Sequence, residues 1–120
     1  MVSRSGRFEG IEEALALIAG ANYQMDAARL LTLAALDRGE HPSVVTAIVK
    51  YHLTERYREV INQAMDIQAG SGICLGPNNL LARPYQAIPI AITVEGANIL
   101  TRNMIILGQG RAPCPPLSAA

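Results

Sequence analysis

Residues 9–38, EGIEEALALIAGANYQMDAARLLTLAALDR, place Ile11, Ala14, Leu15, Ile18, Met25, Ala28, Leu31 and Ala35 at the three- and four-residue steps of an α-helix. Leu17, Ala21, Leu30, Leu33 and Ala34 cover other faces of the same helix. A helix apolar nearly all round is buried on several sides. In a chain of 120 residues that implies cover from a partner chain or a further domain. Gly20 is the one weak point, at roughly 1 kcal/mol against Ala. Arg38-Gly39 makes a stop, with a cation in the last turn and then Gly at the C-terminal cap.

Working outward, His41-Pro42 opens a second helix, because Pro is favoured at the first helical position. It runs to about Ala69, with Val45, Ile48, Val49, Leu53, Tyr57, Val60, Ile61 and Ala64 on its apolar side. Glu55, Glu59, Asn62 and Asp66 recur at helical steps and face solvent or a polar site. Gly70-Ser71-Gly72 ends it, and a loop follows through Pro77-Asn78-Asn79. A short helix is expected from Leu80, tolerating Pro84 and ending at Pro89. The alternative over Ala87–Val94 is a short strand, although a lone strand has nothing to pair with. A final helix is expected from about Glu95 to Leu107 or Gly108. The fold class is therefore all-α: a bundle of two long helices plus shorter C-terminal helices. The helical domain covers residues 1–110, and the aperiodic, proline-rich residues 111–120 form a disordered or extended tail.

Composition fits this architecture. Half the residues are hydrophobic, but one Phe, four Tyr and no Trp leave the core to Ala, Leu, Ile, Val and Met. Ten basic and ten acidic residues give no net charge, which offers nothing to nucleic acid or an anionic membrane. Cys74 and Cys114 have no metal-type spacing, so reduced thiols in a cytoplasmic setting are expected. The N-terminus has no apolar core of a signal peptide, and no apolar run approaches the ~20 residues of a membrane span.

The chemistry concentrates in Ile92-Thr93-Val94-Glu95-Gly96-Ala97-Asn98-Ile99-Leu100-Thr101-Arg102. Glu95 is the only acid in residues 67–120. In the first turn of a helix a carboxylate is held by free N–H groups and the helix dipole, and apolar walls can tune it for proton abstraction. The plain alternative is a helix-capping acid. Gly70-Ser71-Gly72-Ile73-Cys74-Leu75-Gly76 has the spacing G-x-G-x-x-x-G, but it follows a helix and so lacks the context of a dinucleotide fingerprint. His41 and His52 have no ligand set around them. Arg83 and Arg102 suit solvated salt bridges or a phosphate, and Met25, Met65 and Met104 suit core filling.

Val94-Glu95-Gly96-Ala97-Asn98 through Arg102 resembles the Tyr-Glu-Gly-Thr-Asn-x-x-x-Arg segment of acyl-CoA dehydrogenases. Ala64-Met65-Asp66-Ile67-Gln68-Ala69-Gly70-Ser71-Gly72 resembles that family's Ala-Val-Gln-Ile-x-Gly-Gly-x-Gly turn. Ala47-Ile48-Val49-Lys50 and Ala27-Ala28-Arg29-Leu30-Leu31 fall where the family has similar helical segments. The likeness spans Gly6–Gly110 and is greatest to the large bacterial enzymes of fatty-acid β-oxidation, of which it covers only the C-terminal helical portion.

The resemblance implies that Glu95 is the catalytic base, removing the α-proton of a fatty acyl-CoA while a hydride leaves Cβ for FAD, to give the trans-2-enoyl-CoA. It implies flavin contacts at Asp66, Gly70, Gly72, Gly96 and Ala97, from the turn of a neighbouring subunit in the case of residues 66–72. Two departures stand out. Asp66 replaces the usual Gln and would repel a pyrophosphate, and Ala97 replaces a Thr that bonds the flavin. The resemblance further implies electron-transfer flavoprotein as partner and a homo-oligomer. The N-terminal helical and middle β-domains of such an enzyme are not in this sequence, so the chain is expected to be inactive alone. The competing readings are a stand-alone helical oligomerisation module and a small binder of apolar ligands between helices.

Overall fold

In the computed structural model, which describes residues 5–111, a 3-10 turn at Ser5–Arg7 precedes five α-helices. They are α1 (Glu9–Asp37), α2 (Ser43–Gln68), α3 (Gly70–Ile73), α4 (Ala82–Thr93) and α5 (Asn98–Arg111). No strand occurs among the described residues, so the all-α expectation holds and Ala87–Val94 is helix up to Thr93.

The two long helices form an antiparallel pair. Ala16–Gln24 lie beside Arg56–Gln63, at similar chain distances on either side of the connecting turn. That turn is closed by Gly39 at φ 78, whose N–H donates to the Leu36 carbonyl (2.9 Å) while Glu40 N–H donates to that of Ala35 (3.1 Å). This pair of bonds is a Schellman stop, and Gly adopts the left-handed conformation at no Cβ cost. The inward row of α1 is Ile11, Ala14, Ile18, Ala21, Met25, Ala28, Thr32 and Ala35, all half-buried. Its strict alternation of three- and four-residue steps is a coiled-coil-like seam, with small Ala bringing the helices close.

α4 and α5 both pack against α2. Ile61 of α2 and Ile88 of α4, at 6% and 5% exposure, are the most buried apolar residues among those described, and Ala82 at the start of α4 is buried too. No residue of α1 is buried, and Leu31 and Tyr23 are 72% and 78% exposed. The chain is elongated, 70 × 33 × 25 Å, with a radius of gyration of 19.2 Å. A compact chain of this length has about 14 Å. Its accessible surface is 9456 Å², against roughly 6,300 Å² for a compact protein of its mass. The apolar excess of α1 is thus not consumed by this chain's own packing.

Several expected boundaries shift. Pro42 is the N-terminal cap of α2, its carbonyl accepting from Thr46 N–H at 2.9 Å, and not the first helical residue. Gly70-Ser71-Gly72 do not begin a loop: the chain breaks at Ala69 and turns straight into the one-turn helix α3. The short helix starts at Ala82 and not Leu80, which keeps Pro84 within the first turn, where no N–H partner is lost. Pro89 does not end α4, which continues to Thr93. The cost is one bond, the N–H that would reach the Tyr85 carbonyl, and Ile88 buried just before Pro89 holds the segment against α2. The last helix begins at Asn98, three residues after Glu95, and extends through Arg111, past the expected end at Leu107 or Gly108. Of the tail expected over residues 111–120, Arg111 is the last residue of α5, and residues 112–120, with Cys114, lie outside the described residues.

No single helix among the described residues is long and apolar enough to cross a membrane. α4 and α5 reach that composition only jointly, across a 40° bend.

Candidate functional site

The site is built where α4 stops and α5 starts. Val94 is the C-terminal cap of α4, its N–H donating to Ile90 O at 2.9 Å. The chain then passes through Glu95 at φ 56 and Gly96 at φ 91 before entering α5. Glu95 is therefore not in the first turn of a helix; it sits in a left-handed reversal ahead of one. For a non-glycine residue this conformation costs on the order of 1–2 kcal/mol. At Gly96 an added Cβ would meet Thr101 Oγ1 at 3.4 Å and carry the wrong φ as well. Here glycine is a requirement of the backbone.

The reversal is fixed from two sides. Thr101, 8% exposed, donates its hydroxyl to the Gly96 carbonyl at 3.2 Å, and its N–H to Ala97 O at 2.8 Å. From α2, Lys50 Nζ donates to the same Gly96 carbonyl and to Asn98 Oδ1, both at 2.7 Å. Asn98 is 4% exposed, and its Nδ2 donates to Thr54 Oγ1 (2.9 Å) and Glu55 Oε1 (2.8 Å). No buried side-chain N or O among the described residues lacks a partner. Charge-assisted bonds of this kind are worth about 1.5–3 kcal/mol each, enough to offset the strain at Glu95.

Glu95 itself is exposed. Its carboxylate makes no hydrogen bond or ion pair among the described residues. It lines a groove of about 270 Å³ with Lys50, Thr46, Ala47, Gly96 and Met104. Its carboxylate thus stands open to solvent in a groove of mixed lining, with the Lys50 ammonium, hydroxyl groups and the Met104 thioether around it.

The second candidate turn lies in a different groove. Asp66 is exposed and lines it with Asn62, Met65, Ala69, Ile73 and Tyr85. No cation lines that groove, so Asp66 does not fit a pyrophosphate. Gly70 faces open space, whereas Gly72 is buried against Met65, whose Cε lies 3.4 Å from a Cβ built there. Ala69 carries φ 50 and ψ −134, a strained pair for alanine, and stands where the resembling pattern has its first glycine. Gly96 and Ala97 thus join Glu95 at one site, while Asp66, Gly70 and Gly72 belong to another.

Other candidates are placed plainly. His41 and His52 are exposed, and His52 stacks edge-on to Tyr51 at 5.3 Å. No group of three metal-ligating side chains occurs among the described residues. Arg83 and Arg102 are exposed; Arg102 lines a groove behind Asn98 with Tyr51, Glu55 and Arg58. Met25 and Met65 are half-buried as expected of core filling, but Met104 is 58% exposed and contributes to the Glu95 groove instead.

Sequence reasoning passed over Lys50, Asn98 and Thr101 as parts of the Glu95 site. The available signals were Lys50 as the sole lysine of the chain and an Asn directly after Gly-Ala at a helix start.

No solved structure matches the chain. Residues 3–108 match the family model described as acyl-CoA dehydrogenase, C-terminal domain, which is nearly the whole of the 120 residues. With that match and its all-helical fold, the chain belongs to the family of acyl-CoA dehydrogenase C-terminal domains.

Proposed function

We propose that this chain serves as the C-terminal domain of an FAD-dependent fatty acyl-CoA dehydrogenase and carries its catalytic base, Glu95. The observation that supports this most is the unpaired carboxylate of Glu95, held in a strained reversal and open to a groove. Strain that the surroundings pin in place is a mark of functional positions. In the proposed reaction a fatty acyl-CoA loses its α-proton to Glu95 and its β-hydrogen as hydride, giving the trans-2-enoyl-CoA.

FAD, when bound in the complete enzyme, supplies the hydride acceptor. Asp66 does not fit its pyrophosphate, so this chain's own contribution is backbone: Gly70 on one turn, Gly96 and Ala97 on the other. Neutralisation of the phosphates falls to residues beyond this domain. Glu95 also orients the thioester through its main-chain N–H, which lowers the α-proton's pKa. The reading includes electron-transfer flavoprotein as the physiological oxidant of the flavin and a cytoplasmic setting.

Glu95→Gln in a complete dehydrogenase carrying this domain tests the proposal. Turnover should fall by about 10²–10⁴ or more with fold and flavin content intact. Full activity would remove Glu95 from the role.

A second reading has its own observation. The leucines exposed on several sides of α1, Leu17, Leu30, Leu31, Leu33 and Leu36, favour a helical oligomerisation module, with the face around Leu31 the most open of these at 72%. A helix apolar on so many sides is covered by another surface. It is compatible with the first reading, which also calls for a homo-oligomer. Leu31→Glu should leave the monomer's stability within about 0.5 kcal/mol while lowering the sedimentation-derived mass. An unchanged assembly state would show that this face is not the contact.

A further inference from the structure

The geometry points to Lys50 as the positioning residue of the Glu95 reversal, acting with Asn98 as its bridge to α2. Lys50 is the only lysine in the chain, and every other basic residue is arginine. Its place explains the choice. The ammonium reaches two acceptors in different directions, Gly96 O and Asn98 Oδ1, both at 2.7 Å. A compact ammonium with rotatable donors does this; a planar guanidinium is built for two parallel acceptors.

Asn98 then turns its other side to Thr54 and Glu55, so a neutral amide from α5 sits between the cation and the anion of α2. Lys50, Thr54 and Glu55 lie within about one and a half turns of α2, and together they clamp the first residue of α5. The Gly96 carbonyl is the other end of the clamp. Its direction sets the plane of the Gly96–Ala97 peptide, so holding it anchors to α2 the end of the reversal whose residues carry φ 56 at Glu95 and 91 at Gly96. Lys50 and Glu95 also line the same groove. Without the ammonium, Thr101 Oγ1 at 3.2 Å is the remaining side-chain donor to Gly96 O, and it sits on α5 itself. The Gly96 carbonyl would then lose its direct tie to α2, leaving only Asn98's bonds to Thr54 and Glu55 two residues on, and the carboxylate its fixed direction into the groove.

For its catalytic consequence the inference rests on Glu95 as base; for the conformation it stands alone. The test uses Lys50→Met, which keeps the stem and removes the charge and donors, and Lys50→Arg. The first readout is NMR of the 120-residue chain, where the single lysine gives a unique Nζ signal. Lys50 ammonium protons should exchange slowly, and in Lys50→Met the Glu95 and Gly96 shifts and HN–Hα couplings should leave left-handed values while the helices persist. The second readout is turnover in a complete dehydrogenase carrying the domain. There kcat should fall about 10- to 100-fold with KM within about threefold, as for a displaced catalytic group, and Lys50→Arg should recover part of it.

Unchanged Glu95 and Gly96 signals in Lys50→Met would overturn the inference. If Lys50→Met does not fold, the wild-type signal decides, and ammonium protons exchanging as fast as those of free lysine would overturn it. Loss of the reversal in Lys50→Met, together with full turnover in Glu95→Gln, would uphold the clamp and sink the base.

Discussion

Asn79 reaches five backbone partners from one side chain, and its removal should be among the most damaging single changes outside the Glu95 site. The two N–H bonds of Nδ2 are shared among the carbonyls of Ser71 (3.1 Å), Gly72 (2.6 Å) and Cys74 (3.0 Å), while Oδ1 accepts from the N–H groups of Leu81 (3.0 Å) and Ala82 (2.9 Å). The side chain thus closes α3 and caps α4 at once. The bonds to Ser71 and Cys74 are exposed, and water replaces them at little cost. The bonds to Gly72, Leu81 and Ala82 are part-buried. At about 1 kcal/mol net for each of these three, Asn79→Ala should cost about 2–3 kcal/mol. That range matches the loss of a helix cap plus one further bond. For a chain of 120 residues the total stability is on the order of 6–18 kcal/mol, so the loss is a sizeable part of it. Urea unfolding followed by circular dichroism measures it, with hydrogen exchange at Leu81 and Ala82 reporting whether α4 frays at its start. Asn79→Asp keeps the acceptor and loses the donations, and should fall between the two. A change below about 0.5 kcal/mol in Asn79→Ala would refute the reasoning.

Two backbone predictions follow from the positive-φ residues. Ala69→Gly should stabilise the chain by about 1 kcal/mol, against the usual direction for such a change, because φ 50 and ψ −134 suit glycine and strain alanine. The same unfolding assay reads it, and a destabilised variant would mean that Ala69 is not strained. Gly96→Ala should cost about 1–2 kcal/mol through its φ of 91 alone, since Thr101 Oγ1, 3.4 Å from the new Cβ, is in ordinary contact. Unaltered stability would contradict the left-handed assignment.

Much of the architecture was legible in the order of residues. The apolar steps from Ile11 to Ala35 predicted α1 almost to the residue, and Arg38-Gly39 predicted its stop. What the pattern could not say was how that helix would be covered, since apolar residues all round imply burial without naming the surface. Pro84 is tolerated as its place in the first turn predicts, but Pro89, which local rules make a helix end, lies inside a helix that packing against α2 carries four residues further, to Thr93. Glu95 and Gly96 were recognised as a pair, but their backbone was not. Helical periodicity runs smoothly through Glu95, and only the φ values show that the helix has not begun. Ala69 is the same kind of case, a residue whose composition gives no hint of positive φ. Lys50 escaped notice because its partners lie 46 and 48 residues away, beyond any local pattern.

The central claim is that Glu95 takes the α-proton of an acyl-CoA. The most direct test is solvent exchange at that carbon, followed by NMR in D2O. It uses an acyl-CoA analogue that cannot give up a β-hydride and a complete dehydrogenase carrying this domain. The account predicts deuterium entering the α-position in the wild-type protein and no exchange above background in Glu95→Gln, with flavin and analogue still bound. Exchange at an undiminished rate in Glu95→Gln would contradict it, and the base would have to be sought elsewhere.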